Sequence, residues 1–144
     1  MKRIFTVVVL LFFSTLTFAR NLPDPQWSPG VLCSVNDPDF SGTDYSEQIA
    51  RCKRNFSKRD KQVVAEHYGN IPEEQWRNYE FDHIIPLCAG GSNSIHNVYP
   101  QPIAEANDKD KIESQICRGM KAGSMSQAQA LQKIRQWFQG QYLE

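Results

Sequence analysis

The chain has 144 residues, which is room for one domain and excludes two large ones. Its 16 basic and 16 acidic side chains give a formal net charge of zero, so net charge alone does not indicate a nucleic-acid partner. No internal repeat and no low-complexity linker divides the sequence.

Residues 1–19 predict a signal peptide. Lys2 and Arg3 form a positive start, residues 4–16 are almost wholly apolar, and Thr17 and Ala19 stand at the small-residue positions of a cleavage site. The apolar run is shorter than the roughly 20 residues that a membrane span needs, and an uncleaved anchor is the alternative. Without this segment 14 basic and 16 acidic side chains remain, and we expect a secreted or periplasmic protein.

Residues 20–56 predict an irregular N-terminal wrap, because they are rich in Pro, Gly, Asp and Ser and lack a sustained period. A short helical turn is expected around residues 46–52. Residues 51–61 carry six basic side chains against the single acid Asp60. This local charge indicates either a nucleic-acid contact or a solvated helix face.

Four cysteines in an exported chain predict disulfides rather than free thiols. They are Cys33, Cys52, Cys88 and Cys117, and spacing does not select one of the three possible pairings. A structural zinc site is disfavoured because none of the four belongs to a C-x-x-C pair.

Residues 57–144 predict one domain with a helical lead-in and a C-terminal helix. Ser57 with Asp60 forms a capping box and Gly69 ends the first helix, on which His67 is expected to be a surface residue. A turn-rich connection follows. A polar helix is expected within residues 101–123, and Ser126 begins a last helix that presents an apolar stripe to the core.

Between these helices the residues around 79–100 predict a strand, a loop and a second strand. Alternation along the first strand defines two faces. One face carries Tyr79, Phe81, His83 and Ile85, and the other carries Glu80, Asp82 and Ile84. Gly90 and Gly91 are expected to let the chain turn back.

Asp82 and His83 are adjacent and point to opposite faces, so two different tasks are expected of them. An imidazole that titrates near neutrality can take a proton from water, and a carboxylate can hold a divalent ion against a phosphate. This division of labour suits hydrolysis of a phosphodiester. An ion-pair aspartate and a hydrogen-bonded core histidine are the ordinary alternatives.

The segment "DHIIPLCAGGSNSIHNVYPQP" followed by "NDKDKIE" resembles the HNH endonucleases of the ββα-metal superfamily, in particular their small exported bacterial members. The core of the resemblance runs over residues 79–119, and residues 49–69 resemble the helical lead-in of the same group. The resemblance implies an α+β fold in which a ββα-metal hairpin and helix are flanked by further helices and pinned by disulfides.

Position by position, the resemblance implies that His83 is the general base, that Asp82 is a metal ligand and that Asn97 holds the loop that orients the histidine. The second metal ligand falls on Asn107, where relatives often have His. An Asp and an Asn oxygen suit Mg²⁺, with Mn²⁺ as the alternative. Three acids on the same helix are alternatives to Asn107: Asp108, Asp110 and Glu113.

His96 stands beside Asn97 but is expected to be a surface residue. The candidate phosphate contacts are Arg51, Arg54, Lys109 and Arg118. The sequence thus predicts a metal-dependent endonuclease that cuts DNA, RNA or both with little sequence specificity. The alternative is an exported module that binds nucleic acid or a protein partner on an HNH scaffold without turnover.

Overall fold

The computed structural model describes residues 22–140, which form a mixed α+β fold with two small antiparallel sheets and three α-helices. The predicted signal peptide, residues 1–19, lies outside the described residues. None of the described helices is both long and apolar enough to span a membrane.

The N-terminal segment contains a hairpin that the sequence did not predict. Strand β1, Phe40–Asp44, pairs antiparallel with β2, Ile49–Cys52, so the helical turn expected around residues 46–52 was wrong. Tyr45 and Gln48 adopt positive φ in the connection between the strands. Neither residue type is a usual signal for such a turn, which explains why the composition indicated irregular structure only.

Helix α1, Lys58–His67, begins as predicted. The Ser57 hydroxyl accepts from the Asp60 backbone N–H, and the Asp60 carboxylate accepts from the Ser57 N–H at 2.8 Å. Gly69 follows the helix with a φ of +96°. A 3-10 segment, Glu73–Asn78, then leads into the second sheet.

The second sheet consists of β3, Tyr79–His83, and β4, Val98–Pro102. The register pairs Asp82 with Tyr99 and His83 with Val98, so the two faces predicted for β3 are confirmed. Helix α1 packs against the face that carries His83, and helix α2, Ile103–Lys121, packs against the face that carries Asp82. The hairpin is therefore the middle layer between two helices.

The main core lies between α2 and α3, Gln127–Phe138. Ser126 and Gln129 form the predicted capping box of α3. Ile112, Ile116 and Met120 of α2 meet Ile134 and Trp137 of α3, together with side chains from β2 and the loop that follows β3.

Two disulfides join the layers, as the cysteine count predicts. Cys33 pairs with Cys52 and fastens the N-terminal segment to β2, and Cys88 pairs with Cys117 and fastens the loop after β3 to α2. The described residues contain no free cysteine. Both bonds indicate an oxidising, extracytoplasmic environment.

Candidate functional site

The candidate site lies at the end of β3, where Asp82 and His83 are both buried. Because the two residues are neighbours on a strand, the carboxylate reaches the α2 side of the sheet and the imidazole reaches the α1 side. The end of one strand thus presents two chemically distinct groups on opposite faces of the sheet.

The His83 imidazole is held by a chain of two further side chains. Its Nε2 lies 3.1 Å from Asn93 Oδ1, and Asn93 Nδ2 donates to Asp39 Oδ2 at 3.1 Å. An ionised carboxylate only accepts, so the amide nitrogen of Asn93 faces Asp39 and its oxygen faces the imidazole. Nε2 must therefore carry the proton, which leaves the lone pair on Nδ1.

His83 Nδ1 is buried and has no hydrogen-bond partner among the described residues. Burial lowers the pKa of His83 to about 4, and the positive charge of Arg54 contributes in the same direction, against the hydrogen bond to Asn93, which raises it. The imidazole is therefore neutral at pH 7. A neutral ring with a fixed tautomer and an unused lone pair is what a proton acceptor requires.

Asp82 is engaged on the opposite face. Its Oδ1 accepts from the His83 backbone N–H at 2.8 Å, and its Oδ2 accepts from Lys109 Nζ. Lys109 Nζ also donates to the His83 carbonyl oxygen at 2.7 Å and to the Glu113 carboxylate. An ammonium has three donors, so every donor of Lys109 is used.

Asp82, Lys109 and Glu113 therefore form a buried triad of one cation between two carboxylates. The Lys109 side chain is fully buried, and the Glu113 side chain is 21% exposed. Burial raises the pKa of Glu113 even though the ammonium opposes the shift. If both acids are ionised, the triad carries a net negative charge in a buried environment. Burial disfavours such a charge, so Glu113 tends to keep its proton.

The predicted metal ligands do not meet. Asn107 is exposed, and it lies two residues before the buried Lys109, which places it about 200° around α2. Asp108 is also exposed and pairs with Lys111 at 3.0 Å. Both oxygens of Asp82 accept from protein donors, so the residues as they stand do not fit a shared divalent ion.

One other group has the composition of a metal site. The potential metal-ligating atoms of Cys33, Asp37 and Cys52 lie within 4.8 Å of one another. No other group of three His, Cys, Asp or Glu residues between residues 22 and 140 has its ligating atoms this close together. The two sulfurs belong to a disulfide, and only thiolates bind metals strongly. This group is therefore not a metal site in the oxidised protein.

Asn97 braces the loop between β3 and β4. Its side chain is buried, donates to the carbonyls of Ile85 and Ser92 at 3.0 and 2.7 Å, and accepts from the Ile85 N–H at 3.0 Å. A Cβ at Gly91 would lie 2.0 Å from the Ile85 carbonyl oxygen, so only glycine fits there. These contacts hold the loop that carries Asn93.

The four basic residues predicted to contact phosphate lie in different places. Arg54 is exposed and its charge acts on His83, whereas Arg51 is exposed on β2 and pairs with Asp44 at 3.2 Å. Arg118 is exposed at the C-terminal end of α2, about 13 Å along the axis from Lys109. The prediction for Lys109 was wrong, because its buried ammonium has no donor left for a phosphate.

Three features of the site were not predicted. Asn93 belongs to the Gly-Gly-x-Asn pattern of the loop, which was the available signal for it. Asp39 has no such signal, because it reaches Asn93 across 54 residues of chain. The role of Lys109 was missed because an acid four residues after a lysine is also common on solvated helix faces.

The other two histidines lie away from His83. His96 is exposed and its Nδ1 is 2.6 Å from the Trp27 carbonyl oxygen. His67 pairs with Asp24 at 3.0 Å and stacks on the Trp27 ring at 4.0 Å. Neither histidine shares the buried surroundings of His83.

Comparison with models of known protein families, with curated proteins and with solved structures gave no match for this chain.

Proposed function

We propose that the protein is an exported HNH-type endonuclease that hydrolyses phosphodiester bonds, with His83 as the general base. One observation carries the proposal: His83 is a buried, neutral imidazole whose Nε2 is held by Asn93 and whose Nδ1 has a free lone pair. A buried polar atom without a partner is uncommon and calls for a reason, and catalysis is one such reason.

In this reaction Nδ1 takes a proton from a water molecule as the water oxygen attacks phosphorus. The P–O3′ bond breaks, the leaving O3′ takes a proton from solvent, and the products expected from the resemblance are a 5′-phosphate and a 3′-hydroxyl. Asn93 and Asp39 act as positioning residues, because they keep the proton on Nε2 while Nδ1 accepts another. Phe56 lies edge-on to the imidazole, with ring centroids 6.3 Å apart.

The resemblance also implies one divalent ion, with Mg²⁺ preferred over Mn²⁺, whose chemistry would be to stabilise charge on the leaving oxygen. For Asp82 to bind such an ion, the ammonium of Lys109 would have to leave Oδ2. Dependence of cleavage on a divalent metal is therefore part of the proposal, and a chelator tests it.

We expect DNA, RNA or both as substrate, with little sequence specificity, and a secreted or periplasmic location. The disulfides support export. The second candidate is a nucleic-acid-binding or partner-binding module without turnover. It is favoured by the same triad, since Lys109 occupies the carboxylate that the resemblance assigns to the metal.

The test is incubation of the oxidised protein, residues 20–144, with supercoiled plasmid and with a structured RNA, in Mg²⁺, in Mn²⁺ and in EDTA. Conversion of either substrate by the protein, and loss of that conversion in EDTA, supports a metal-dependent endonuclease. Conversion that persists in EDTA supports the nuclease and refutes the metal. Binding of nucleic acid without cleavage in any condition contradicts the enzyme and supports the module.

A further inference from the structure

A groove lined by aromatic and basic side chains opens beside His83. It encloses about 370 Å³, and its chief lining residues are Arg54, Phe56, Lys61, Trp76, Tyr79 and Phe81. The four rings are half-buried, so each shows part of its surface to the groove. The motif around Asp82 and His83 does not account for this combination.

The groove adjoins the candidate site. Tyr79 and Phe81 lie on the same face of β3 as His83, at intervals of about 7 Å along the strand. Phe56 lies edge-on to the His83 imidazole, and the charge of Arg54 acts on it. A molecule seated in the groove therefore lies beside His83, which is itself buried and is not one of the groove's lining residues.

Two of the rings, Trp76 and Phe81, are held in place before any ligand enters. Trp76 Nε1 donates to the Ile71 carbonyl oxygen at 3.1 Å, and its ring meets the Phe81 ring at 5.3 Å in an edge-to-face arrangement. Lys61 Nζ lies 5.8 Å from the centre of the Phe81 ring. Preorganised rings lose little entropy on binding, which favours stacking of a flat ligand.

The cations of the groove are available to an anion. Between residues 22 and 140, neither Arg54 nor Lys61 takes part in an ion pair, whereas Lys58, Lys109 and Lys111 do. Half-buried Glu80 also lines the groove, and burial raises its pKa, against the opposing charges of Lys109 and Arg54, so its negative charge is disfavoured there. Anionic groups are therefore expected on the side of Arg54 and Lys61.

We propose that the groove is a subsite for an unpaired nucleobase, with the flanking phosphates of a single strand held by Arg54 and Lys61. This inference rests on the proposed function and names its substrate class. A base within a duplex has both faces covered by its neighbours, whereas an unpaired base can stack on Trp76 or Tyr79. Stacking is tolerant of sequence, which agrees with the expected lack of specificity.

A peptide would meet the same rings, but the two cations beside a proton acceptor favour a polyanion. Single-stranded nucleic acid is therefore the one occupant that uses both the rings and the charges of the groove.

The test uses the His83→Ala protein, so that bound strands stay intact. A fluorescein-labelled oligothymidylate and a duplex of the same length are titrated with protein, and anisotropy and tryptophan fluorescence are recorded. We expect the single strand to bind at least about tenfold more tightly than the duplex, because only an unpaired base has a free face to stack on the rings. The single strand should also quench the tryptophan fluorescence of the protein. If Trp76 is the ring that stacks on the base, this quenching should be lost in Trp76→Phe.

Two further substitutions in the same background, Trp76→Ala and Arg54→Gln, should each weaken binding of the single strand about tenfold. The matched controls are Trp27→Ala, whose ring stacks on His67, and Arg135→Gln, on the exposed side of α3. Arg54 is exposed, so its substitution tests the subsite even if Trp76→Ala does not fold. Circular dichroism establishes which variants are folded.

Equal affinity for single strand and duplex, unchanged by Arg54→Gln, would overturn the subsite, and so would quenching by an unrelated peptide but not by the oligothymidylate. Cleavage of plasmid by the unsubstituted protein is scored separately. Quenching without any cleavage keeps the subsite and refutes the nuclease, whereas cleavage with no effect of the groove substitutions refutes the subsite alone.

Discussion

At the scale of single residues, the decisive feature is the protonation of His83. An imidazole has two tautomers, and only the one with a free Nδ1 serves the proposed reaction. Asp39 orients the Asn93 amide, and Asn93 in turn selects the tautomer. The tautomer of His83, and with it the proposed base, therefore depends on a residue that precedes it by 44 positions in the sequence.

Asn93→Ala removes the acceptor that holds the proton on Nε2. We expect the cleavage rate at saturating substrate to fall by about 10²-fold, the lower end of what a general base contributes, while KM changes little. Nitrogen-15 NMR of the imidazole should show a mixture of tautomers in place of one. Asn55→Ala is the control, because Asn55 also donates to Asp39, at 3.1 Å, but does not touch His83. Equal losses in both variants would show that Asn93 acts only through the fold.

Protonation of His83 should also appear in the pH dependence of stability. Its pKa is about 4 in the folded protein and 6.5 as the ordinary value, so the unfolded chain binds more protons between these limits. The free energy of unfolding should therefore fall as pH drops from 6.5 towards 4, by at most about 3 kcal/mol from this group. The raised pKa of Glu113 acts in the opposite sense, because the folded state then holds the extra proton.

Urea denaturation of the wild-type protein and of His83→Gln across this pH range separates the two effects. The difference between their free energies of unfolding should vary with pH between 4 and 6.5 and be constant above it. A difference that is constant over the whole range would contradict a depressed pKa for His83.

At the scale of elements, the β3–β4 hairpin is tied to α2 by the buried triad. The triad is a buried charge network. Removing one of its charged groups therefore lowers the free energy of unfolding by more than the intact network adds to it. Lys109 is fully buried, whereas Lys111, two residues on, has a side chain that is 73% exposed and pairs with Asp108. The two lysines form a matched pair for measurement.

Lys109→Met leaves Asp82 and Glu113 without their shared cation. We expect it to lower the free energy of unfolding by about 3–5 kcal/mol, and we expect Lys111→Met to change it by less than about 0.5 kcal/mol. Chemical denaturation of both variants gives these values. Adding Asp82→Asn and Glu113→Gln to Lys109→Met should restore part of the loss, and failure of Lys109→Met to destabilise would show that the triad is not formed.

Local signals account for what could be predicted about the elements. Each capping box is contained in four consecutive residues, so the starts of α1 and α3 could be predicted from the sequence. The five residues of β3 show the alternation that defines the two faces of the sheet, so these faces could be predicted as well. The β1–β2 hairpin was not, because its turn uses Tyr45 and Gln48 where glycine or asparagine is usual. Lys109 was read as a surface cation because its burial is decided by Asp82, which lies 27 residues earlier.

At the scale of the whole molecule, the site is assembled from distant parts of the chain. Asp39 comes from the N-terminal segment, Asn93 from the loop after β3, and Lys109 from α2. Each disulfide fastens one of these parts: Cys33–Cys52 lies beside the segment of Asp39, and Cys88–Cys117 lies at the base of the loop. Such long-range pairings have no local signature, which is why the three cysteine connectivities stayed open.

Replacement of Cys88 and Cys117 by serine should lower the free energy of unfolding by about 2–5 kcal/mol. Because Cys88 belongs to the loop that Asn97 and Gly91 hold, we expect the cleavage rate to fall as well, at temperatures where the variant is still folded. Thermal denaturation followed by circular dichroism, alongside the cleavage assay, measures both. An unchanged stability would contradict a structural role for this bond.

The most direct test of the account is a single-turnover comparison of His83→Ala with His96→Ala at pH 7, on the substrate that the unsubstituted protein cleaves. If His83 is the general base, its substitution should lower the cleavage rate constant by about 10²- to 10⁴-fold, and the exposed His96 should be dispensable. A His83→Ala protein that is folded and cleaves at the wild-type rate would contradict the central claim.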